Sequence, residues 1–291
     1  MNPVRLASLL IILILPAGCV RRTVGGYPPT VVDKQKTQGA INALTDDQHV
    51  QALQVRIKLD PKDVAARLEL AGIYETYRLY NDAFEQYSAV IHIQPTEPAV
   101  IGLAHCGQAS GRSHEAIQIL EGLIKDSPSA TTWDQLGMLY ESSGSLIVGE
   151  NALRKALAID SGSDRLHNNL GYNLLLQKKV EEAEQEFRAA LLLNPKSATT
   201  HNNLGTVLAR RGDLQGALEE FQFAGDAATA HNNLAVALFE AGHYEQSRDE
   251  LIKALTIRQY FAPALENFKL VQERIRELAE TPSKKVPEDM K

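Results

Sequence analysis

The tetrapeptide His-Asn-Asn-Leu stands at residues 167–170, 201–204 and 231–234. The first interval is 34 residues (201 − 167) and the second 30 (231 − 201). A chain that repeats at this period has few folds open to it. Each copy is one supersecondary unit that cannot bury its apolar face alone, so neighbouring copies must stack into a continuous core. Length is a weaker guide: 291 residues would suit two ordinary domains, but a repeat array escapes that count.

More than the tetrapeptide recurs. Counting from Asp164, the marks are Leu170-Gly171, Ala183, Phe187, Ala190 and Pro195; from Ala198 they are Leu204-Gly205, Ala217, Phe221 and Ala224. Counting from Ala130, Trp133, Leu136, Gly137, Tyr140 and Ala156 take the same places. Weaker copies carry Leu70, Ala71, Tyr74, Ala83, Tyr87 and Pro95, then Leu103, Ala104, Ala116, Leu120 and Pro128; a last one carries Leu234, Ala235, Leu238 and Ala254. Six units result, at 64–96, 97–129, 130–163, 164–197, 198–227 and 228–261.

Each unit holds two stretches with apolar residues at i, i+3, i+4 and i+7, the mark of one helical face, parted by a turn such as Arg211-Gly212-Asp213 or Ala241-Gly242-His243. Gly171, Gly205, Ala183 and Ala217 allow paired helices to approach closely, and Phe187 and Phe221 fill the space beside them. Pro61, Pro95, Pro128 and Pro195 end helices, because the residue before proline is driven out of the helical region. Residues 45–63 are expected to form a leading cap helix and 262–280 a closing one with a polar outer face. The 34-residue period with Trp-x₂-Leu-Gly-x₂-Tyr, later Ala and Phe, and a closing Pro resembles the tetratricopeptide repeat family. The resemblance implies an all-α fold: a right-handed superhelical solenoid of about six helix pairs, capped at both ends.

Residues 1–18 are expected to be a signal peptide. The apolar run Leu6–Leu15 follows Arg5, and ten helical residues reach only about 15 Å, half a hydrocarbon core. Ala17-Gly18-Cys19 resembles the lipobox of bacterial lipoproteins, although Pro16 stands where that family prefers leucine. The resemblance implies cleavage before Cys19 and acylation of that residue; an ordinary secreted protein with a cysteine near its cleavage site is the alternative. Residues 19–44 then form a Gly- and Pro-containing tether, and 281–291 a polar, Pro-broken tail. Cys106, the second of two cysteines, sits in an apolar helical pattern as a small buried hydrophobe.

No nucleotide, zinc-protease or serine-nucleophile motif is present, and His114-Glu115 lacks the second histidine of a metalloprotease pair. A net charge of −6 without clustered Lys and Arg points away from nucleic acid. His167, His201 and His231 occupy the mark of Trp133, which assigns them to packing against the partner helix, since stacked helices about 8–10 Å apart do not bring three such rings onto one metal. Neither enzyme activity, nor a cofactor, nor a metal is expected.

What remains is binding of a protein. In the tetratricopeptide family the first helix of each pair lines a concave groove. The groove marks, carried over residue by residue, fall on Asn168, Asn169, Tyr172, Leu175 and Leu176, on Asn202, Asn203, Thr206, Ala209 and Arg210, and on Asn232, Asn233, Val236, Phe239 and Glu240. Asn169, Asn203 and Asn233, with Gln135 one unit earlier, share the mark at which some family members bond a bound peptide's main chain. The other reading of His-Asn-Asn-Leu is a way of spelling a helix start. The four-residue shortfall before His231 is either a tolerated deletion or a change of superhelix curvature beside the groove.

Lipobox, tether and repeats together resemble the tetratricopeptide lipoproteins of tight-adherence (Flp) pilus systems and, more loosely, type IV pilotins. That resemblance implies a protein lipid-anchored to the periplasmic face of the outer membrane, with Val20 fitting outer-membrane sorting. Its partners would be secretin or pilus components. A periplasmic scaffold for envelope or cell-wall enzymes is the alternative.

Overall fold

Side-chain caps start the first helix of nearly every pair. Asp47, Asp63, Thr96, Ser129, Ser163, Ser197 and Asp226 each accept a hydrogen bond from a backbone N–H in the turn that follows. These helices leave open connections, where orphan N–H groups need a partner. Second helices follow tight turns instead: Leu79, Arg112, Ser145 and His243 provide no side-chain cap, and Asp213 is the exception, accepting from the Gly216 N–H.

The chain is described by a computed structural model at residue 39 and residues 44–280. The expected signal peptide (1–18), Cys19 with the tether as far as residue 43 (residue 39 apart), and the tail 281–291 lie outside the described residues. Among the described residues there are fourteen helices and no strand: α1 Gln48–Leu59, α2 Val64–Thr76, α3 Tyr80–Ile93, α4 Glu97–Ala109, α5 Ser113–Asp126, α6 Ala130–Ser142, α7 Leu146–Ile159, α8 Asp164–Leu176, α9 Val180–Leu193, α10 Ala198–Arg210, α11 Leu214–Ala224, α12 Ala227–Glu240, α13 Tyr244–Ile257 and α14 Ala262–Glu280. None of them is long and apolar enough to cross a membrane.

The described chain falls into two compact units, one ending at Lys179 and one beginning at Val180. In the first, α2 pairs with α3, α4 with α5 and α6 with α7; each second helix touches the first helix of the next pair, and α2, α4, α6 and α8 touch in succession. In the second, α10 pairs with α11 and α12 with α13, while α10, α12 and α14 touch in succession. This is the expected packing of consecutive helix pairs.

The turns between paired helices are closed by left-handed residues. Gly111, Gly144, Gly212 and Gly242 have φ between +78° and +86°, and Arg78 and Lys178 hold the same place at +59° and +64°. After each, a backbone N–H reaches back five residues, as in His243 N–H to the Leu238 carbonyl at 2.9 Å.

Phe84, Phe187 and Phe221 are the largest fully buried side chains. A Cβ at Gly205 would stand 2.8 Å from the Phe221 ring, so glycine there is the condition for seating it. Burying one such ring contributes about 1.5–3 kcal/mol. The 30-residue interval resolves into parts. Helix α11 has 11 residues where α9 has 14; the following linker has two residues (225–226) against four (194–197); and α12 gains one residue over α10, 14 against 13. Three and two lost, less one gained, make the four.

Candidate functional site

The tetrapeptide does not start a helix. His167, His201 and His231 lie in the second turn of their helices or later, and the capping belongs to Ser163, Ser197 and Asp226. His201 and His231 meet their partner helices, as their alignment with Trp133 implies, while His167 Nε2 lies 3.3 Å from the Ser161 carbonyl before its own helix. His201 Nδ1 lies 2.6 Å from Glu220 Oε2 and its ring stacks on Phe223 at 5.1 Å, while His231 Nδ1 lies 2.6 Å from Glu250 Oε2. Trp133 receives Lys155 over its face at 4.2 Å. Lys155 and Phe223 hold the same mark.

The asparagines meet each other. Asn233 Nδ2 donates to Asn202 Oδ1 at 2.8 Å, and Asn267 Nδ2 donates to Asn232 Oδ1 at 3.0 Å. Asn232 Nδ2 reaches Asn233 Oδ1 at 3.4 Å, which joins the two contacts into one chain of amides across α10, α12 and α14. In the first unit Asn169 Nδ2 donates to Asp134 Oδ1 at 2.8 Å. One rule covers all three junctions. The amide at the sixth mark donates to the side-chain oxygen at the fifth mark of the unit before, at separations of 35, 31 and 35 residues, the middle one short by the four deleted. An amide carries both donor and acceptor, so it can be handed on from unit to unit.

These contacts relocate the expected peptide ladder. Asn202, Asn232 and Asn233 are buried and engaged with one another, and Asn203 is buried. Gln135, also buried, donates to Asp134 Oδ2 at 3.3 Å, and Asp134 is further held by Arg165. Phe239 is buried edge-on to Tyr244 at 5.2 Å, while Arg210 pairs with Glu240 at 3.3 Å. Asn168, Asn169 and Tyr172 are half-buried, and Leu176 is 41% exposed. Among the described residues no buried side-chain nitrogen or oxygen lacks a partner. Sequence reasoning passed over Asn267 and Asp134. Both were visible as the marks 34 residues after Asn233 and 34 before Asn168.

A second polar clamp repeats at the same period. Glu150 accepts from Arg154 Nε at 2.9 Å, Gln177 Nε2 at 2.9 Å and Lys179 Nζ at 2.7 Å. Glu184, 34 residues later, accepts from Arg188 at 3.0 Å and from Arg211. Burial is the largest single influence on the Glu150 carboxyl and pushes it up. The bonds from Lys179, Gln177 and Arg154 together outweigh that and hold it down at about 2.

The first unit also carries a pocket of about 460 Å³ between α2, α3 and α4, with Ile101 and Pro98 beside the carboxylates of Glu75 and Glu97.

Comparison with known proteins agrees with this architecture. Two family models described as tetratricopeptide repeat match residues 168–224 and 227–259. No curated protein matches the chain. Among solved structures, a chain of the APC/C hetero-tetramer Cut9-Hcn1 is similar at 19% identity and a TM-score of 0.56, with 81% of this chain and 48% of that one covered. A tetratricopeptide repeat protein from Parabacteroides merdae is similar at 15% identity and a TM-score of 0.56, with 82% and 99% covered. The chain spans about half the length of the first. At these identities the likeness is one of fold. The family models fall on the fourth to sixth helix pairs, and the three pairs before them pack in the same consecutive way, so the chain has the fold of tetratricopeptide-repeat proteins.

Proposed function

We propose that this chain is a scaffold, lipid-anchored to the periplasmic face of the bacterial outer membrane, that holds a protein partner on its first helices during assembly of a pilus or secretion apparatus. The binding role rests on one observation: α2, α4, α6 and α8 lie side by side, and the groove marks on them carry the exposed Leu176, the half-buried Tyr172 and the pocket beside Ile101. Apolar and amphipathic side chains in a row along stacked helices suit an extended segment or an amphipathic helix. The anchor is supported by Leu6–Leu15 followed by Ala17-Gly18-Cys19. One acyl chain binds a membrane marginally, and several hold it firmly, at about 0.8 kcal/mol per buried CH₂. The pilus role is supported by the resemblance of lipobox, tether and repeats to the tight-adherence lipoproteins.

In native envelopes, a photo-crosslinker at position 176 is expected to trap a pilus or secretion component, and Tyr172→Ala to weaken that adduct without lowering the melting temperature. Cys19→Ala is expected to leave the membrane fraction or remain uncleaved. An adduct indifferent to Tyr172→Ala would put the partner elsewhere, and adducts with cell-wall enzymes would establish the envelope-scaffold alternative. A processed Cys19→Ala protein that stays membrane-bound would remove the anchor.

A further inference from the structure

Glu75 near the end of α2 and the adjacent His105 and Cys106 on α4 place a carboxylate, an imidazole and a thiol within 4.8 Å of one another. Glu75 Oε1 pairs with His105 Nδ1, and the Tyr87 hydroxyl donates to Glu75 Oε2 at 2.8 Å. The His105 ring stands edge-on to Tyr80 at 5.7 Å. A Cβ at Gly102 would lie 2.4 Å from the Tyr87 ring, so glycine at that point keeps the tyrosine that orients Glu75. Glu75 and His105 line the pocket of about 460 Å³, which provides an entry path. None of this is visible in sequence spacing, since Glu75 and His105 are 30 residues apart.

We propose that Glu75, His105 and Cys106 bind one zinc ion, with a fourth position open toward the pocket. The donor set selects the metal. Calcium and magnesium take oxygen ligands, whereas sulfur, nitrogen and one carboxylate oxygen together are zinc's ordinary set. Zinc bonds of about 2.0–2.3 Å place tetrahedral donors about 3.3–3.8 Å apart, so on loading the hydrogen-bonded Glu75–His105 pair opens while the widest separation in the cluster, within 4.8 Å, closes. Tyr87 is the outer partner that fixes the carboxylate. Because a coordinating cysteine binds as thiolate, zinc binding releases the Cys106 proton to solvent, and the imidazole binds neutral through Nδ1 with its hydrogen on Nε2.

The test uses the full chain stripped of metal, titrated with zinc against a chromogenic chelator and, separately, loaded with cobalt(II). One zinc per chain is expected, with a thiolate-to-cobalt charge-transfer band that Cys106→Ser abolishes and Cys19→Ser leaves intact. His105→Ala, at a largely exposed side chain, keeps the fold and is expected to weaken zinc binding at least about tenfold. Zinc uptake unchanged by His105→Ala, or a cobalt spectrum without the thiolate band, would reduce the cluster to a hydrogen-bond network and overturn the site.

Discussion

Asn232 shows what one amide does in this stack. It is fully buried, accepts from Asn267 on α14 and donates to Asn233 on its own helix. Asn232→Ala strands the Asn267 donor and leaves a gap, and a buried polar group without its partner costs about 1–3 kcal/mol. The expected result is a loss of that size in urea denaturation. The double variant with Asn267→Ala should lose less than the sum of the two singles, because neither amide is then left unmatched. A gain is available at Arg78. It is exposed and held at φ +59° where four other turns use glycine. Left-handed backbone costs a non-glycine residue about 1–2 kcal/mol, so Arg78→Gly should stabilise by somewhat less, about 0.5–1 kcal/mol after glycine's own entropy loss. A differential scan of the two proteins measures it.

At the scale of the helix, the Glu150 clamp ties α7 to the turn after α8. Its carboxyl is held at about 2, below its unfolded value. A depressed carboxyl contributes stability that is complete above the unfolded value of about 4.3 and disappears as pH falls from there toward 2. The denaturation midpoint should therefore drop across that window, and Glu150→Gln should flatten this part of the profile. At neutral pH the variant should lose about 1–2 kcal/mol, less than breaking a buried pair would cost, because Lys179 is 40% exposed and regains water. Helices were the most legible level of this chain. The period of the apolar residues, the glycine turns and the prolines give the pairs of helices, since these signals are local. The roles of Asn169, Asn202, Asn232 and Asn233 were not legible in the same way. Their recurrence was evident, but their partners lie one unit and one residue away, a relation that appears only when first helices are set side by side. The cluster at Glu75, His105 and Cys106 was invisible because it occurs once, and a period reveals only what repeats.

At the scale of the molecule, the 30-residue interval asks whether an array tolerates unequal units. The amide chain gives the answer in the second unit. Asn233 still meets Asn202 at 2.8 Å across the shortened unit, the same kind of contact that Asn267 makes with Asn232 at full length. The deletion falls on the end of α11 and its linker, on the second-helix side, and leaves the junction between first helices in register. Phe223, near the shortened end, is 73% exposed yet stacked on His201, so the end of α11 is closed by a ring in place of a further turn. Insertion of Leu-Leu-Leu-Asn after Ala224 restores the period. Because connections absorb added residues at little entropic cost, about 0.6 kcal/mol even for a doubling of length, the variant should melt within a few degrees of the parent. It should also keep the Asn233 side-chain amide protected in NMR exchange. If the partner lies along the first helices, as the proposed function holds, its crosslink from position 176 should be unchanged by the insertion. A protein that folds and keeps the amide chain but loses that crosslink would show that the second-helix side, shaped by the missing turn, is part of the binding surface.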